Sequence, residues 1–136
     1  MVVLDHGVLV TGAPGTGKTS FCIQLLQRGH LIIADDAVVL TQNSHHLHAS
    51  APQATIDKIA DNNNRIYSIS ERFGEQALVS SHQLQFHLAL DDSYQHSQLQ
   101  PFLDQLHPIE WHASFASDPT LFEFAIKNEI ECHLAK

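Results

Sequence analysis

The sequence predicts an α/β fold, a P-loop domain, and three observations carry that expectation. Residues Gly12 to Thr19 (GAPGTGKT) match the phosphate-binding pattern GxxxxGK[ST] at every fixed position. The match lies between an apolar run, Val8 to Val10, and a helical pattern, Ser20 to Arg28, in which Phe21, Leu25 and Leu26 share one side. A second apolar run, Leu31 to Ala34, then ends in the paired acids Asp35 and Asp36.

The loop's chemistry follows from its backbone. Gly12, Gly15 and Gly17 open conformations closed to other residues, so successive N–H groups converge on an anion where the helix N-terminus adds partial positive charge. Ala13, Pro14 and Thr16 complete the cradle, with Pro14 restricting it, and Ser20 opens the helix proper. Lys18 brings a full charge to the β- and γ-phosphates, and the Thr19 hydroxyl is placed to bind Mg²⁺. The expected ligand is a nucleotide phosphate.

After the first helix, Gly29 is placed as the residue that ends it, and Leu31 to Ala34 reads as a strand. Carboxyl ends of parallel strands line the ligand crevice of α/β sheets, so Asp35 and Asp36 would share an edge with the P-loop. Two acids there divide the work. One removes a proton from an attacking hydroxyl, and the other holds the metal directly or through water.

The chain continues through a strand at Ala37 to Thr41 and the histidine-dense stretch Ser44 to His48 (SHHLH). Strand alternation would put His46 and His48 on one face and His45 on the other, and no second ligand cluster follows, so a solvated hairpin is expected rather than a metal site. Ala51-Pro52 opens a short helical candidate through Ala60, and Asp61 to Asn64 reads as a turn. Arg65 to Ile69 and Gln83 to Leu90 alternate like strands, the second closed by Asp91-Asp92-Ser93. Leu99 to Leu106 suggests a helix and Ile109 to Phe115 a strand. Asp118-Pro119 is an N-cap and N1 pair opening a last helix toward Lys136, with Phe122, Ile126 and Ile130 at four-residue spacing.

A chain of 136 residues is expected to form a single P-loop kinase domain over its whole length. Its net charge of −8 and lack of a Lys/Arg cluster argue against a nucleic-acid surface. Cys22 and Cys132 lack metal-type spacing and read as reduced thiols. No signal-like start and no apolar stretch near the roughly 20 residues needed to span a bilayer is present, so no membrane partner and a cytoplasmic location are expected. Eleven histidines would make the charge sensitive to mild acid.

The run GVLVTGAPGTGKTS, followed by QLLQRGHLIIADDAVVL, resembles the catalytic domain of HPr(Ser) kinase/phosphorylase, whose members carry a P-loop, a helix ending in RGH and a strand ending in ADD in this order and spacing. Weaker similarity continues through Ala51-Pro52, Phe73-Gly74 and Leu84 to Leu90, covering the first two thirds of the chain. The resemblance implies a P-loop domain of the phosphoenolpyruvate carboxykinase-like type, with a central mixed sheet and flanking helices. It implies transfer of phosphate from ATP or pyrophosphate, with Mg²⁺, to a serine of the phosphocarrier protein HPr, the reverse phosphorolysis, and hexamers. Carried over by position, Gly12 to Thr19 bind phosphates and Thr19 assists the metal. Asp35 activates the serine hydroxyl, and Asp36 supports the metal or orients Asp35.

The chain also departs from the family pattern. His6-Gly7 lies too close to Gly12 to be the family's upstream histidine-glycine segment. Asp61 to Asn64 stands where the family has a glutamate and an arginine-glycine signature, and Phe115 to Asp118 lacks the arginine expected before the last helix. Two other readings follow: a nucleotide-binding regulator whose catalysis has decayed, and a small-molecule kinase, since P-loop folds host many acceptors.

Overall fold

The structure, a computed structural model, describes residues 1–35, 37–60 and 65–134. Asp36, the expected turn at 61–64 and the end of the last helix beyond 134 therefore lie outside the described residues. The expected α/β architecture is present: a six-stranded mixed sheet with helices against it and a separate two-stranded ribbon.

Strands β1 (Val2–Val3) and β2 (His6–Thr11) form a tight antiparallel pair, and the Val8–Val10 run falls inside β2. Helix α1 (Lys18–Gln27) starts two residues earlier than the side-chain pattern suggests, because the P-loop lysine and threonine already form its first turn. It buries Phe21, Cys22, Leu25 and Leu26. Its end is a Schellman motif: Gly29 donates to the Leu26 carbonyl at 3.0 Å and His30 to that of Leu25 at 3.1 Å. Gly29 sits at φ +90°, where a side chain would be strained.

The next expected strand is not a strand. Leu31 makes an isolated antiparallel bridge to Val2, and Ile32 an isolated parallel bridge to Leu78. Ile32 is fully buried and Ile33 nearly so, which explains the apolar run without any ladder. Strands β3 (Val39–Asn43) and β4 (His46–Ser50) then form the hairpin expected around SHHLH, turning at Ser44 and His45. The helical candidate over 51–60 is instead a single 3₁₀ turn, Gln53–Thr55, followed by β5 (Lys58–Ala60). The turn ends where Ile56 becomes extended and Asp57 adopts φ +64°, and the chain then pairs β5 with β6 (Ile66–Ser68).

Helix α2 (Ile69–Phe73) is capped by Ser68, whose side chain accepts from the Glu71 N–H. A 3₁₀ turn, Glu75–Ala77, leads to the nine-residue β7 (Ser81–Ala89). β7 is the sheet's organiser. It pairs in parallel with β2 along one edge, from Leu84 to Ala89. On its other edge it pairs antiparallel with β4 over 81–84 and in parallel with β8 over 86–88. The close approach of β2 to β7 is made possible by Gly7, since a Cβ there would lie 2.1 Å from the Gln83 carbonyl oxygen.

Helix α3 (Gln100–Leu103) is one turn, shorter than the 99–106 pattern suggests. Strand β8 is His107–Ile109, so the strand expected at 109–115 lies earlier, and Ser114–Ser117 is helix α4. The reason is aromatic packing. Trp111 and Phe115 join Phe21 and Phe122 in edge-to-face contacts with centroids 5.1 to 5.7 Å apart, which turn rather than extend the chain. Helix α5 (Pro119–Glu129) begins as expected, with the Asp118 side chain accepting from the Thr120 N–H. It continues as a π turn over 130–134. Phe122 and Ile126 are fully buried, and Ile130 packs beside them.

Two hydrophobic clusters result. The larger joins Val8, Phe86 and Leu88 to α1, α4 and α5, and the smaller joins Val2, Ile33, Leu47, Ala49 and Leu84.

Candidate active site

The P-loop links the C-terminal end of β2 to the start of α1. Its N-cap is Gly17 in the left-handed region, with no side-chain cap and no acid in the first helical turn. The first N–H groups of a helix have no internal acceptor, so this end presents donors to an anion with no competing carboxylate in the turn itself. Within the loop, Thr16 is tied back to the Ala13 carbonyl through both its N–H, at 3.2 Å, and its hydroxyl, at 2.8 Å. Pro14, Gly15 and Gly17 are exposed.

Lys18, Thr19 and Asp35 line one cleft, whose walls include Val10, Cys22, Ala34, Ala37 and Val38. The Thr19 hydroxyl donates to Asp35 Oδ1 at 3.2 Å. Sequence positions sixteen apart are thus brought together by the short chain passage after α1. Burial pushes the Cys22 thiol up to about 11, so below the lysine and aspartate lies an unreactive, protonated sulfur. Hydroxyl and carboxylate oxygens are the hard donors that Mg²⁺ prefers, and Thr19 with Asp35 supplies both types at contact distance. Among the described residues no group of three His, Cys, Asp or Glu forms a metal cluster, and the SHHLH stretch is the β3–β4 hairpin.

The opposite flank of the loop holds a residue the sequence did not single out. Asp91, two positions beyond β7, accepts the Ala13 N–H through Oδ2 at 3.0 Å. Its Oδ1 accepts the Ser93 N–H at 3.0 Å and the Ser93 hydroxyl at 2.6 Å. The Ser93 hydroxyl first, then the Ala13 N–H and the Ser93 N–H, hold the Asp91 carboxyl below the ordinary carboxylate range. The only linear signal was DDS after an apolar strand, which reads equally as a polar turn. Nearby, buried Thr11 pairs its hydroxyl with His87 Nε2 at 2.7 Å, and burial lowers the His87 pKa. Thr11, His87, Asp91, Asp92 and Tyr94 line a second cleft on this side.

The expected site residues are therefore disposed as follows. Gly12, Ala13, Pro14, Gly15, Thr16, Gly17, Lys18, Thr19 and Ser20 form the loop and the first turn of α1. Asp35 meets Thr19. Asp36 is outside the described residues, and the structure brings no further basic residue to the cleft that Lys18 lines, among those described.

Comparison with known proteins gives the geometry a family. The HPr kinase/phosphorylase of Stenotrophomonas maltophilia strain K279a is 34% identical over 79 residues, which are 57% of this chain and 25% of that protein. That of Alkaliphilus metalliredigens is 35% identical over 79 residues, 57% and 26% of the respective chains. This chain spans about a quarter of the length of the curated relatives it matches. The HPr(Ser) kinase/phosphatase structure from Coxiella burnetii shares the fold, with a TM-score of 0.77 over 94% of this chain and 90% of that one, at 24% identity. The model of the HPr serine kinase C-terminal domain matches residues 1–110, and the chain belongs to that family.

Proposed function

We propose that this chain is an ATP-dependent protein-serine kinase whose acceptor is a phosphocarrier of the HPr type. The observation that carries this reading is the 3.2 Å contact between Thr19 and Asp35 in the cleft that Lys18 also lines. Phosphoryl transfer asks a protein mainly for positioning and for charge opposite the transferring group. The Gly15 to Thr19 backbone and Lys18 serve the donor phosphates. Asp35 accepts the proton of the acceptor serine as its oxygen attacks the γ-phosphorus, and the nucleotide diphosphate departs held by the loop. Mg²⁺, held by Thr19 and Asp36, would neutralise charge on the donor phosphates. Asp36 in this reading supports the metal or orients Asp35.

Pyrophosphate as donor and the reverse attack of phosphate on phosphoserine enter the proposal by family likeness alone. A cytoplasmic location and assembly into a homo-oligomer, a hexamer by family likeness, belong to the proposal as well. Incubating the purified chain with ATP, Mg²⁺ and HPr from its own organism, then locating phosphate by mass spectrometry, tests donor and acceptor together. Stoichiometric phosphoserine is the expected product. One observation favours a second reading, a nucleotide-binding regulator: Lys18 is the one cationic side chain lining the cleft among the described residues. ATP binding by calorimetry with no transfer to HPr would select it.

A further inference from the structure

We propose that Asp91 is a positioning residue for the phosphate-binding loop, fixing its entry limb through the Ala13 N–H and thereby setting the loop's affinity for the phosphate donor. The inference rests on the reading of Gly12 to Thr19 as a phosphate cradle and goes beyond it by assigning a role outside the loop.

The geometry has three parts. The carboxylate is oriented before it reaches the loop, since the Ser93 N–H and hydroxyl both hold Oδ1. Its other oxygen then takes the Ala13 N–H at 3.0 Å. The platform beneath is rigid, because β2 and β7 pair without interruption from Val8–Phe86 to Thr11–Ala89, and the Leu90 N–H adds a bond to the Thr11 carbonyl at 2.9 Å. From Ala13 the restraint passes directly along the loop, as Thr16 is tied to the Ala13 carbonyl through N–H and hydroxyl. One carboxylate just beyond the end of a central strand thus holds the beginning of the loop, and Thr16 transmits that position to the Gly17 N-cap one residue later.

The arrangement also divides the loop's donors. The Ala13 N–H is committed to Asp91, while the N–H groups from Gly17 onward open the helix and face no side-chain cap. A loop whose entry is free must order itself when phosphate arrives, and that ordering weakens binding. A loop held by Asp91 has already lost that freedom. The carboxylate is anionic, so its place on the far side of Ala13 allows it to hold the loop without occupying the phosphate's own donors.

The test is calorimetric titration of MgADP and, separately, of pyrophosphate into the wild-type chain and the Asp91→Ala, Asp91→Asn and Lys18→Ala variants, with melting temperatures measured beside them. Asp91→Ala is expected to weaken both ligands about tenfold, the scale of a lost hydrogen bond to a charged group. Asp91→Asn keeps one acceptor oxygen for Ala13 and can donate its amide N–H to the Ser93 hydroxyl while giving up the Ser93 N–H, so it is expected to weaken binding about threefold, less than Asp91→Ala. Binding by Asp91→Ala within twofold of wild type, or an equal loss in the Asn and Ala variants, would overturn the inference. Failure of the wild type to bind either ligand, or full binding by Lys18→Ala, would overturn the phosphate-cradle reading instead. Amide hydrogen exchange in the wild-type chain supplies an independent readout: the Ala13 amide should be protected at neutral pH and lose protection in acid, and a freely exchanging Ala13 amide would also sink the assignment.

Discussion

The two carboxylates that touch the P-loop region are held by very different pieces of backbone. Asp91 follows the nine-residue β7, paired on both edges, and two donors from Ser93 fix its orientation. Asp35 follows a short buried passage that forms no extended ladder among the described residues, its backbone bonded to neighbouring segments at the Leu31 and Ile32 bridges, and it meets Thr19 at 3.2 Å. Elements with few backbone bonds open more readily than paired strands. The contrast accords with the two roles proposed above, Asp91 holding the loop and Asp35 taking the proton of an acceptor hydroxyl.

The sharpest test of that division removes the charge both flanks surround. Lys18→Ala is expected to cut phosphoryl transfer about a thousandfold or more, measured with γ-labelled ATP and HPr, because among the described residues no other cationic side chain lines the cleft. Asp35→Asn is expected next, lowering turnover about a hundredfold while the MgADP dissociation constant stays within about twofold of wild type. Normal turnover by this variant would refute the assignment of Asp35 to proton removal. A third change strikes the strand pairing that carries Asp91: Gly7→Ala puts a Cβ 2.1 Å from the Gln83 carbonyl oxygen and should destabilise the fold by about 2 kcal/mol in urea denaturation, since β2 must shift away from β7.

The smallest effect is acid dependence at Asp91. Its folded pKa lies below the ordinary value of 3.8, through the Ser93 hydroxyl first, then the Ala13 N–H and the Ser93 N–H, so the stabilisation it adds is full above that value and is lost as pH falls through the lower folded pKa. Asp91→Asn should therefore show a shallower decline of melting temperature between about pH 5 and pH 2 than wild type. Parallel curves would place the charge of Asp91 outside the folding equilibrium.

The sequence made one of these flanks visible and hid the other. GAPGTGKT declares its conformation because the glycines and the Lys-Thr pair are local requirements, and α1 begins at that lysine. The alternation of Gln83 to Leu90 likewise marked β7, since one face of a strand repeats every second residue. Asp35 was legible as an acid after an apolar run, although the run is buried through Ile32 and Ile33 without forming a ladder. Asp91 was not, because its partner Ala13 is 78 residues away and only the parallel pairing of β2 with β7 brings them together. Near Trp111 and Phe115, β-favouring aromatics suggested a strand, but their contacts with Phe21 and Phe122 exist only once α1 and α5 have packed. The second parallel partner of β7, beside β2, is the less obvious His107-Pro108-Ile109. Proline is tolerated there because β8 pairs with β7 alone, leaving its other edge without a ladder among the described residues.

The divided outer edge of β7 carries a consequence for how such a domain can be altered. The β3–β4 hairpin joins that edge only at 81–84, whereas β8 occupies 86–88, nearer the loop. The tip at Ser44 and His45 lies by the first half of β7, where His45 shares a cleft with Gln83, Gln85 and His107, while the pairing that carries Asp91 runs on to Ala89, so changes are best confined to Ser44. Ser44 is thus the natural place to graft a label, a tether or a new recognition sequence, with donor binding serving as the control that the machinery was left alone.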